Sequence, residues 1–451
     1  MSDTYRLSIS ETIREIANKN ISPIELVETL LNRIDELDPD LKAWVTVDRE
    51  DVIGQAKQTE IDQERGIIKP LQGVSVGLKD IFYTAGMRTS ACSKIFSEFV
   101  PTYDATSVAK LKEAGAIIIG KAVTTEFASS DPSPSRNPWN LNHTPGGSSS
   151  GSSVAVATGM CTAALGSQTG GSTCRPAAYN GIVGLKPTYG RISRHGVVPL
   201  SWSLDTVGIL VKSVEDAALM LQVMSGYDPL DPRSADESVP NFIEQMKHHE
   251  QKPVIGLIKD FFFDHSTPEV VTHTEQVVQK LASSGAEIRE MTLPDSFGSS
   301  HACQRIVSNV EAAAFHREWY QERAEEYGPK IRGNIEMGML VSGIDYLQAQ
   351  RLRRQFRIDM VNMLSGVDAL LMPTTPAPAP NDLTTTGDAV FQAPWTSSGL
   401  PTITIPSGLA TNGLPLGTQL AGLTFKEGPL LGVAKWCEEV LNVDLWPTDY
   451  I

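Results

Sequence analysis

Cysteine is scarce in this chain of 451 residues and follows no pattern. The five cysteines stand singly, at Cys92, Cys161, Cys174, Cys303 and Cys437. An odd number without Cys-x-x-Cys spacing argues against a disulfide framework and against a zinc site, and it favours a reducing compartment. The eight histidines are scattered as well and support no metal cluster.

Long apolar runs and positive charge are also in short supply. The longest apolar stretch, about residues 154–165, is interrupted by Thr158 and Gly159 and is too short to span a bilayer. The first residues hold no apolar segment typical of secretion. A formal net charge of −15 without any basic run argues against a phosphate-backbone partner. We therefore expect a cytoplasmic protein with no membrane and no nucleic-acid partner.

Strand-like and helix-like segments alternate along most of the chain. Residues 8–38 have the apolar spacing of two helices, and residues 38–40 are predicted to end the second one. Further strands are predicted at 74–78, 116–119, 161–165, 207–211, 254–258, 287–291, 369–372 and 401–406. Helices are predicted at 105–114, 154–159, 214–224 and 268–283. This order predicts an α/β fold, a sheet with helices on its faces. We expect one domain over 1–451, with helices 8–38 packing on it.

Three short segments together suggest a catalytic serine. Ser172 ends the turn Thr169-Gly170-Gly171-Ser172, where backbone N–H groups can converge on one point. Ser148 lies in a second Gly/Ser cluster, residues 146–153, and Lys79 follows the predicted strand at 74–78. A lysine, a serine in a Gly-rich loop and a serine on a turn rich in N–H groups can form a nucleophile without histidine.

Other interpretations of short motifs fit their surroundings less well. Residues 115–122 nearly match a phosphate-binding loop, but their β-forming interior predicts a buried strand. Residues 147–151 fit Gly-x-Ser-x-Gly, yet a loop precedes them where a nucleophile elbow needs a strand. A flexible linker, a plain turn and an exposed lysine would explain the three segments one at a time. Their joint occurrence in this order favours catalysis.

These motifs resemble the amidase signature family of amide hydrolases. The similarity continues through residues 181–191, Asp205, residues 372–376 and residues 399–403, and so covers most of the chain. It implies that Ser172 is the nucleophile, that Ser148 is a bridging serine held by a cis peptide bond, and that Lys79 is the base. It also implies a large twisted mixed β-sheet covered by α-helices on both faces.

The resemblance further implies an acyl-enzyme mechanism. Ser148 would pass a proton from Ser172 to Lys79, which must be uncharged to accept it. The oxyanion hole would be formed by the N–H groups of Thr169, Gly170, Gly171 and Ser172. This chemistry needs no metal ion and no organic cofactor.

The nucleophile turn departs from the usual family pattern at two positions. Gln168 replaces an aspartate, and Arg175 follows the serine by three residues instead of two. This variant looks like that of malonamidase-type small bacterial amidases. We predict that Arg175 binds a carboxylate or carbonyl of the substrate; the alternative, a structural arginine, stays open.

The expected function is a stand-alone hydrolase of a small amide, aryl amide or carbamate, with a small molecule as its only substrate. A homodimer would be compatible with the family. The alternative is the glutaminase subunit of a tRNA-dependent amidotransferase. Against it we weigh Gln168, Arg175 and the segment 393–399, which lacks the polar pattern expected there for holding glutamine. A non-catalytic binding protein is a third interpretation, which the three intact catalytic candidates disfavour. Residues 125–142 and 300–350 are predicted to wall the pocket, with Trp139, Trp202, Phe315 and Met337 as candidate lining residues.

Overall fold

A mixed β-sheet of eleven strands forms the centre of the protein in the computed structural model, which describes residues 4–247 and 252–450. The strands are β1 (Trp44–Val47), β2 (Ser75–Lys79), β3 (Ile117–Ala122), β4 (Ala163–Gln168), β5 (Val183–Lys186), β6 (Thr206–Val211), β7 (Val254–Ile258), β8 (Glu287–Met291), β9 (Ala369–Pro373), β10 (Thr402–Leu409) and β11 (Pro415–Ala421). Their order across the sheet is β1-β3-β2-β4-β6-β5-β10-β11-β9-β7-β8.

Helices pack around this sheet. They are α1 (Ile9–Ala17), α2 (Pro23–Leu41), α3 (Arg49–Glu64), α4 (Thr106–Glu113), α5 (Ser150–Ala157), α6 (Cys174–Asn180), α7 (Val214–Met224), α8 (Phe242–Lys247), α9 (Pro268–Ser283), α10 (Ser300–Arg323), α11 (Pro329–Leu340), α12 (Gly343–Met363), α13 (Ala393–Ser398) and α14 (Glu427–Leu441). Among the helices of the described residues, none combines the length and the apolar composition needed to cross a membrane.

The central strands of the sheet, such as β3, are buried on both faces, which explains their apolar runs, whereas the edge strand β8 is largely exposed. Because successive side chains of a strand point to opposite faces, Ile118 packs in one core cluster while Ile117 and Ile119 pack in another. The predicted fold class is confirmed: the protein is a mixed α/β structure with a large sheet between layers of helices.

The two N-terminal helices begin at serines, as their sequence predicts. Ser8 and Ser22 each accept a hydrogen bond from the backbone N–H three residues on, and a glutamate at that position closes a capping box. The predicted end of the second helix at residues 38–40 is wrong, because α2 runs to Leu41 with Pro39 inside it. A proline so near the helix end removes a single hydrogen bond of the last turn.

Strand direction places the catalytic candidates at one edge of the sheet. β2 and β4 are parallel neighbours, with Leu78 opposite Leu165. Their carboxyl ends therefore lie side by side, and Lys79 at the end of β2 is close to Ser167 near the end of β4. The turn that carries Ser172 follows β4 directly.

Candidate active site

Lys79 is buried and hydrogen-bonded to two serines. Its Nζ lies 2.6 Å from Ser148 Oγ and 2.8 Å from Ser167 Oγ. The side chain is fully buried, and this loss of hydration lowers the pKa of Lys79 to about 7. The negative charge of the nearby Asp205 acts in the opposite direction on that pKa. An amine with this pKa is uncharged in a large fraction of molecules at neutral pH, as a general base must be.

The Gly/Ser loop presents Ser148 to Lys79. The peptide bond between Gly147 and Ser148 is cis. Gly146 has φ of +80°, in the left-handed region that favours glycine. The carbonyl of Ser148 accepts a hydrogen bond of 3.2 Å from the N–H of Thr125, and α5 begins two residues later. The loop is therefore part of the packed structure.

The turn carrying Ser172 exposes a row of unused backbone donors. The N–H groups of Thr169, Gly170, Gly171 and Ser172 donate to no acceptor within the described ranges 4–247 and 252–450. Ser172 is mostly buried, and its carbonyl accepts from Ser149 N–H at 3.3 Å. In that same part of the chain, Ser172 Oγ forms no hydrogen bond with Ser148 Oγ.

Gln168 holds this turn on the following helix. Its Oε1 accepts from the N–H groups of Thr173 and Cys174 at 3.0 and 3.1 Å, at the start of α6. Its Nε2 donates to Thr396 Oγ1 at 3.1 Å, and that hydroxyl donates to the carbonyl of Gly170 at 2.9 Å. The amide thus satisfies two donors that a helix start leaves free. Gln168, which replaces the aspartate of the usual family pattern, therefore stabilises the backbone of the turn through hydrogen bonds.

Asp205 supports the turn from the other side, a role that the sequence motifs do not reveal. Its Oδ1 accepts from Thr169 Oγ1 at 2.5 Å, and its Oδ2 accepts from the N–H groups of Leu200 and Ser201 at 2.8 and 2.9 Å. Burial raises the pKa of Asp205, while the hydrogen bond from Thr169 lowers it. Gln304 adds a further tie by donating to the carbonyl of Thr169 at 3.0 Å.

Arg175 is buried against backbone carbonyls. Its Nη2 donates to the carbonyl of Gly147 at 2.6 Å and to Thr386 Oγ1 at 3.1 Å, and its Nη1 donates to the carbonyl of Gly387 at 2.8 Å. Burial lowers the pKa of Arg175. These contacts join the loop of Ser148 to the loop of residues 386–387, as the structural alternative requires. Contact of Arg175 with a substrate stays a prediction.

A cavity of about 370 Å³ opens beside Ser172. The turn at residues 169–172 and Arg175 form one wall, and residues of the 128–130 and 304–334 segments form others. The two chain segments predicted to wall the pocket do contribute to it. The four apolar candidates are absent from the described lining: Trp139 donates its Nε1 to the carbonyl of Asn180, Phe315 packs against Trp319, and Trp202 and Met337 are exposed elsewhere.

Comparison with known proteins assigns the family. The family model described as Amidase matches residues 25–431. The chain therefore belongs to the amidase signature family, and it is an enzyme of the amidase type, which acts on carbon–nitrogen bonds.

Individual relatives are similar over nearly the full length. The A-type subunit of the glutamyl-tRNA(Gln) amidotransferase of Geobacter sp. (strain M21) is 39% identical over 469 residues, covering 96% of each chain. The solved structure of the same subunit from Thermotoga maritima has a TM-score of 0.81 at 31% identity, covering 97% of this chain and 96% of that one. A structure from a vestigial complex linked to the evolutionary origins of an s-triazine catabolic enzyme has a TM-score of 0.90 at 29% identity, covering 96% and 98%.

These relatives overturn the expected function. Eight curated relatives, 33% to 39% identical, all carry the name of the A-type amidotransferase subunit, and none is named for a stand-alone amide or carbamate hydrolase. The features weighed against that subunit have structural explanations. Gln168 caps the start of α6, and Arg175 binds backbone carbonyls. The segment 393–398 forms the buried helix α13, of which Ala393 lines the described cavity.

The expected partners are corrected by the same finding. The expectation of a free small molecule as sole substrate, without nucleic acid, is wrong, because the relatives are named as one subunit of an enzyme that acts on glutamyl-tRNA(Gln). Net charge averages over the whole surface and conceals local patches: α12 carries Arg351, Arg353, Arg354 and Arg357 within seven residues of a chain whose net charge is −15. The net charge of this chain also carries no information about what a partner subunit binds.

Proposed function

We propose that this protein is the amide-hydrolysing subunit of a tRNA-dependent amidotransferase, which releases ammonia from glutamine for transfer to glutamyl-tRNA(Gln). The observation that carries the proposal is the similarity to the A-type subunits of such enzymes, up to 39% identity over 96% of the chain. The hydrogen-bonded Lys79 and Ser148 beside the turn of Ser172 supply the chemistry that this reaction needs.

The proposed proton path runs through the two serines. A serine hydroxyl is a weak nucleophile until a base takes its proton. Uncharged Lys79 takes the proton of Ser148, Ser148 takes that of Ser172, and Ser172 Oγ attacks the amide carbon. The reverse path protonates the leaving ammonia, and water then hydrolyses the ester. The Ser172 hydroxyl must turn toward Ser148, since catalytic hydrogen bonds often tighten only with substrate bound.

The unused N–H groups of residues 169–172 are proposed to bind the oxyanion. These groups belong to Ser172 and to the three residues before it, and all four residues line the cavity that the substrate would enter. A single donor of this kind typically stabilises the transition state by about 3 kcal/mol. Asp205 and Gln304 act as positioning residues, because they fix Thr169 from its hydroxyl and from its carbonyl.

An exposed apolar surface supports a role within a larger enzyme. Leu340 at the end of α11, and Ile344 and Leu347 at the start of α12, are 85%, 80% and 64% exposed. Contiguous apolar patches of this kind on soluble proteins are typical of surfaces that bind another protein. A partner subunit would cover these side chains.

The test is ammonia release from glutamine, measured for the full chain by itself and with the partner subunits and glutamyl-tRNA(Gln) of its own organism. We expect ammonia release that requires Ser172 and formation of glutaminyl-tRNA(Gln) in the complete mixture. The proposal is contradicted if the complete mixture forms no glutaminyl-tRNA(Gln) while Ser172 still hydrolyses another amide.

A further inference from the structure

The charged side chains of the substrate cavity are all cations. Arg175, Arg305 and Lys330 line it, and no aspartate or glutamate does so among the described residues. In a protein with a net charge of −15, a cavity walled by positive charge alone is an unusual local arrangement. Such a cavity attracts anionic groups and offers no counter-charge to an ammonium group.

Helix geometry directs two of these cations at the substrate space. Arg305 lies on α10 together with Ser308, Asn309 and Ala312, a helical spacing that puts all four along the same wall. Lys330 lies on α11, one turn before Asn334, which also lines the cavity.

Both cations are available to a ligand. Arg305 is exposed and has no hydrogen-bond or ion-pair partner in the part of the chain that the structure describes. Lys330 is exposed, donates to the carbonyl of Thr384 at 2.6 Å, and forms no salt bridge with a described residue. Arg175, by contrast, is committed to carbonyl oxygens.

We propose that Arg305 and Lys330 bind the carboxylate of the amide substrate, and that the site does not recognise an ammonium group. Charged donors bind carboxylates more strongly than neutral donors do. The substrate class is thus an amide that carries a carboxylate, with or without an α-amino group. This inference rests on the proposed amide hydrolysis at Ser172, and it refines what the site requires of glutamine.

Two acidic residues adjoin the lining without belonging to it. Asp131 follows the lining residue Ser130, and its carboxylate accepts from the N–H groups of Lys330 and Ile331 at 3.0 and 2.7 Å. Asp388 precedes Ala389, a lining residue, but its Oδ1 accepts from the N–H of Val390 at 2.9 Å and its side chain is exposed. Asp388→Asn therefore serves as a control for ammonium recognition. Arg351→Ala, on the exposed face of α12, serves as a control for the loss of a cation.

The experiment compares four amides that differ in two charges: glutamine, glutaramate, 4-aminobutanamide and butanamide. Steady-state ammonia release by the full chain gives KM and kcat for each. We expect the carboxylate to lower KM at least tenfold in both pairs, and the ammonium group to change KM less than threefold. Arg305→Ala and Lys330→Ala should each raise KM about tenfold for glutaramate and leave butanamide unchanged. Arg305→Lys should retain part of the effect, and both controls should behave as the wild type.

Equal losses on glutaramate and butanamide would overturn the inference, as would a preference for the ammonium group that Asp388→Asn abolishes. Where glutaramate is hydrolysed well and glutamine is not, the proposed glutamine reaction fails and the carboxylate site stands. If no amide is turned over, calorimetric binding to the Ser172→Ala variant decides. Glutaramate should bind at least tenfold more tightly than butanamide, and equal affinities would contradict the proposal.

Discussion

Lys79 Nζ and Ser148 Oγ lie 2.6 Å apart, at the point where β2 ends beneath the Gly/Ser loop. Ser167, near the end of the neighbouring parallel strand, occupies a second hydrogen-bonding position of the amine at 2.8 Å. The amine is therefore solvated by two hydroxyls and by no carboxylate within hydrogen-bonding distance among the described residues. This arrangement allows the low pKa that burial imposes.

The pKa of Lys79 leads to a prediction about pH. Since the proposed mechanism requires the uncharged amine, kcat/KM for amide hydrolysis should rise with pH, reach half of its maximum near pH 7, and fall about tenfold per pH unit below that. The measurement is kcat/KM between pH 5 and 9, with circular dichroism to verify folding at each pH. A rate that falls as pH increases through 7 would be incompatible with Lys79 as the base.

Asp205→Asn should shift this profile and slow the reaction. The negative charge of Asp205 raises the pKa of Lys79, so its removal should move the half-maximum to lower pH. Asparagine keeps one acceptor oxygen for the N–H groups of Leu200 and Ser201, but its amide NH2 then faces Thr169 Oγ1 and reverses that hydrogen bond, and we expect kcat to fall about tenfold as the turn loosens.

The matched control for Asp205→Asn is Asp35→Asn, which removes an exposed carboxylate of α2. It should leave both the profile and kcat unchanged. A lower kcat for Asp205→Asn without any shift of the pH profile would show that Asp205 supports the turn and does not influence the pKa of Lys79.

Gln168→Ala should destabilise the protein. It leaves the N–H groups of Thr173 and Cys174 without their acceptor, and the loss of a helix cap typically reduces the free energy of unfolding by about 1–2 kcal/mol. Urea denaturation measures this change. Gln355→Ala, at an exposed position of α12, should change the value by less than about 0.5 kcal/mol. Equal stabilities for the two variants would show that Gln168 does not act as a cap.

Arg175→Ala distinguishes substrate binding from support of the two loops. Because the guanidinium bonds to the carbonyls of Gly147 and Gly387, we expect kcat to fall by a similar factor for glutaramate and for butanamide. Steady-state rates on both amides test this. A selective rise in KM for glutaramate would assign Arg175 to the substrate, as its sequence position predicts.

Local pattern was enough to predict most elements of the fold. The apolar run at 254–258 and the helical spacing at 268–283 match β7 and α9 residue for residue. The sequence does not predict strands β1, β5 and β11: β1 and β5 have only four residues each, and β11 has the polar residues Thr418 and Gln419 at its centre. Pairing within the sheet stabilises such segments, and a single sequence does not reveal that pairing.

Some residues of the candidate site are predictable from the sequence and others are not. Lys79, Ser148 and Ser172 lie in Gly-rich or strand-end motifs whose residue types report their chemistry, so the sequence predicts them together. Ser167 and Gln304 act through single hydrogen bonds that depend on the folded chain, and no motif marks them. The nucleophile turn likewise does not predict the proposed need for partner subunits, because its residue types determine the reaction and do not indicate which other proteins bind the chain.

The most direct test of the proposed chemistry is intact-mass spectrometry of the full chain quenched in acid during turnover of glutaramate, with the Ser172→Ala variant alongside. We predict an acyl adduct on the wild-type chain that maps to Ser172 by peptide digestion, and neither adduct nor ammonia release in the variant. An adduct on another residue, or ammonia release at the wild-type rate by Ser172→Ala, would contradict the assignment of Ser172 as the nucleophile.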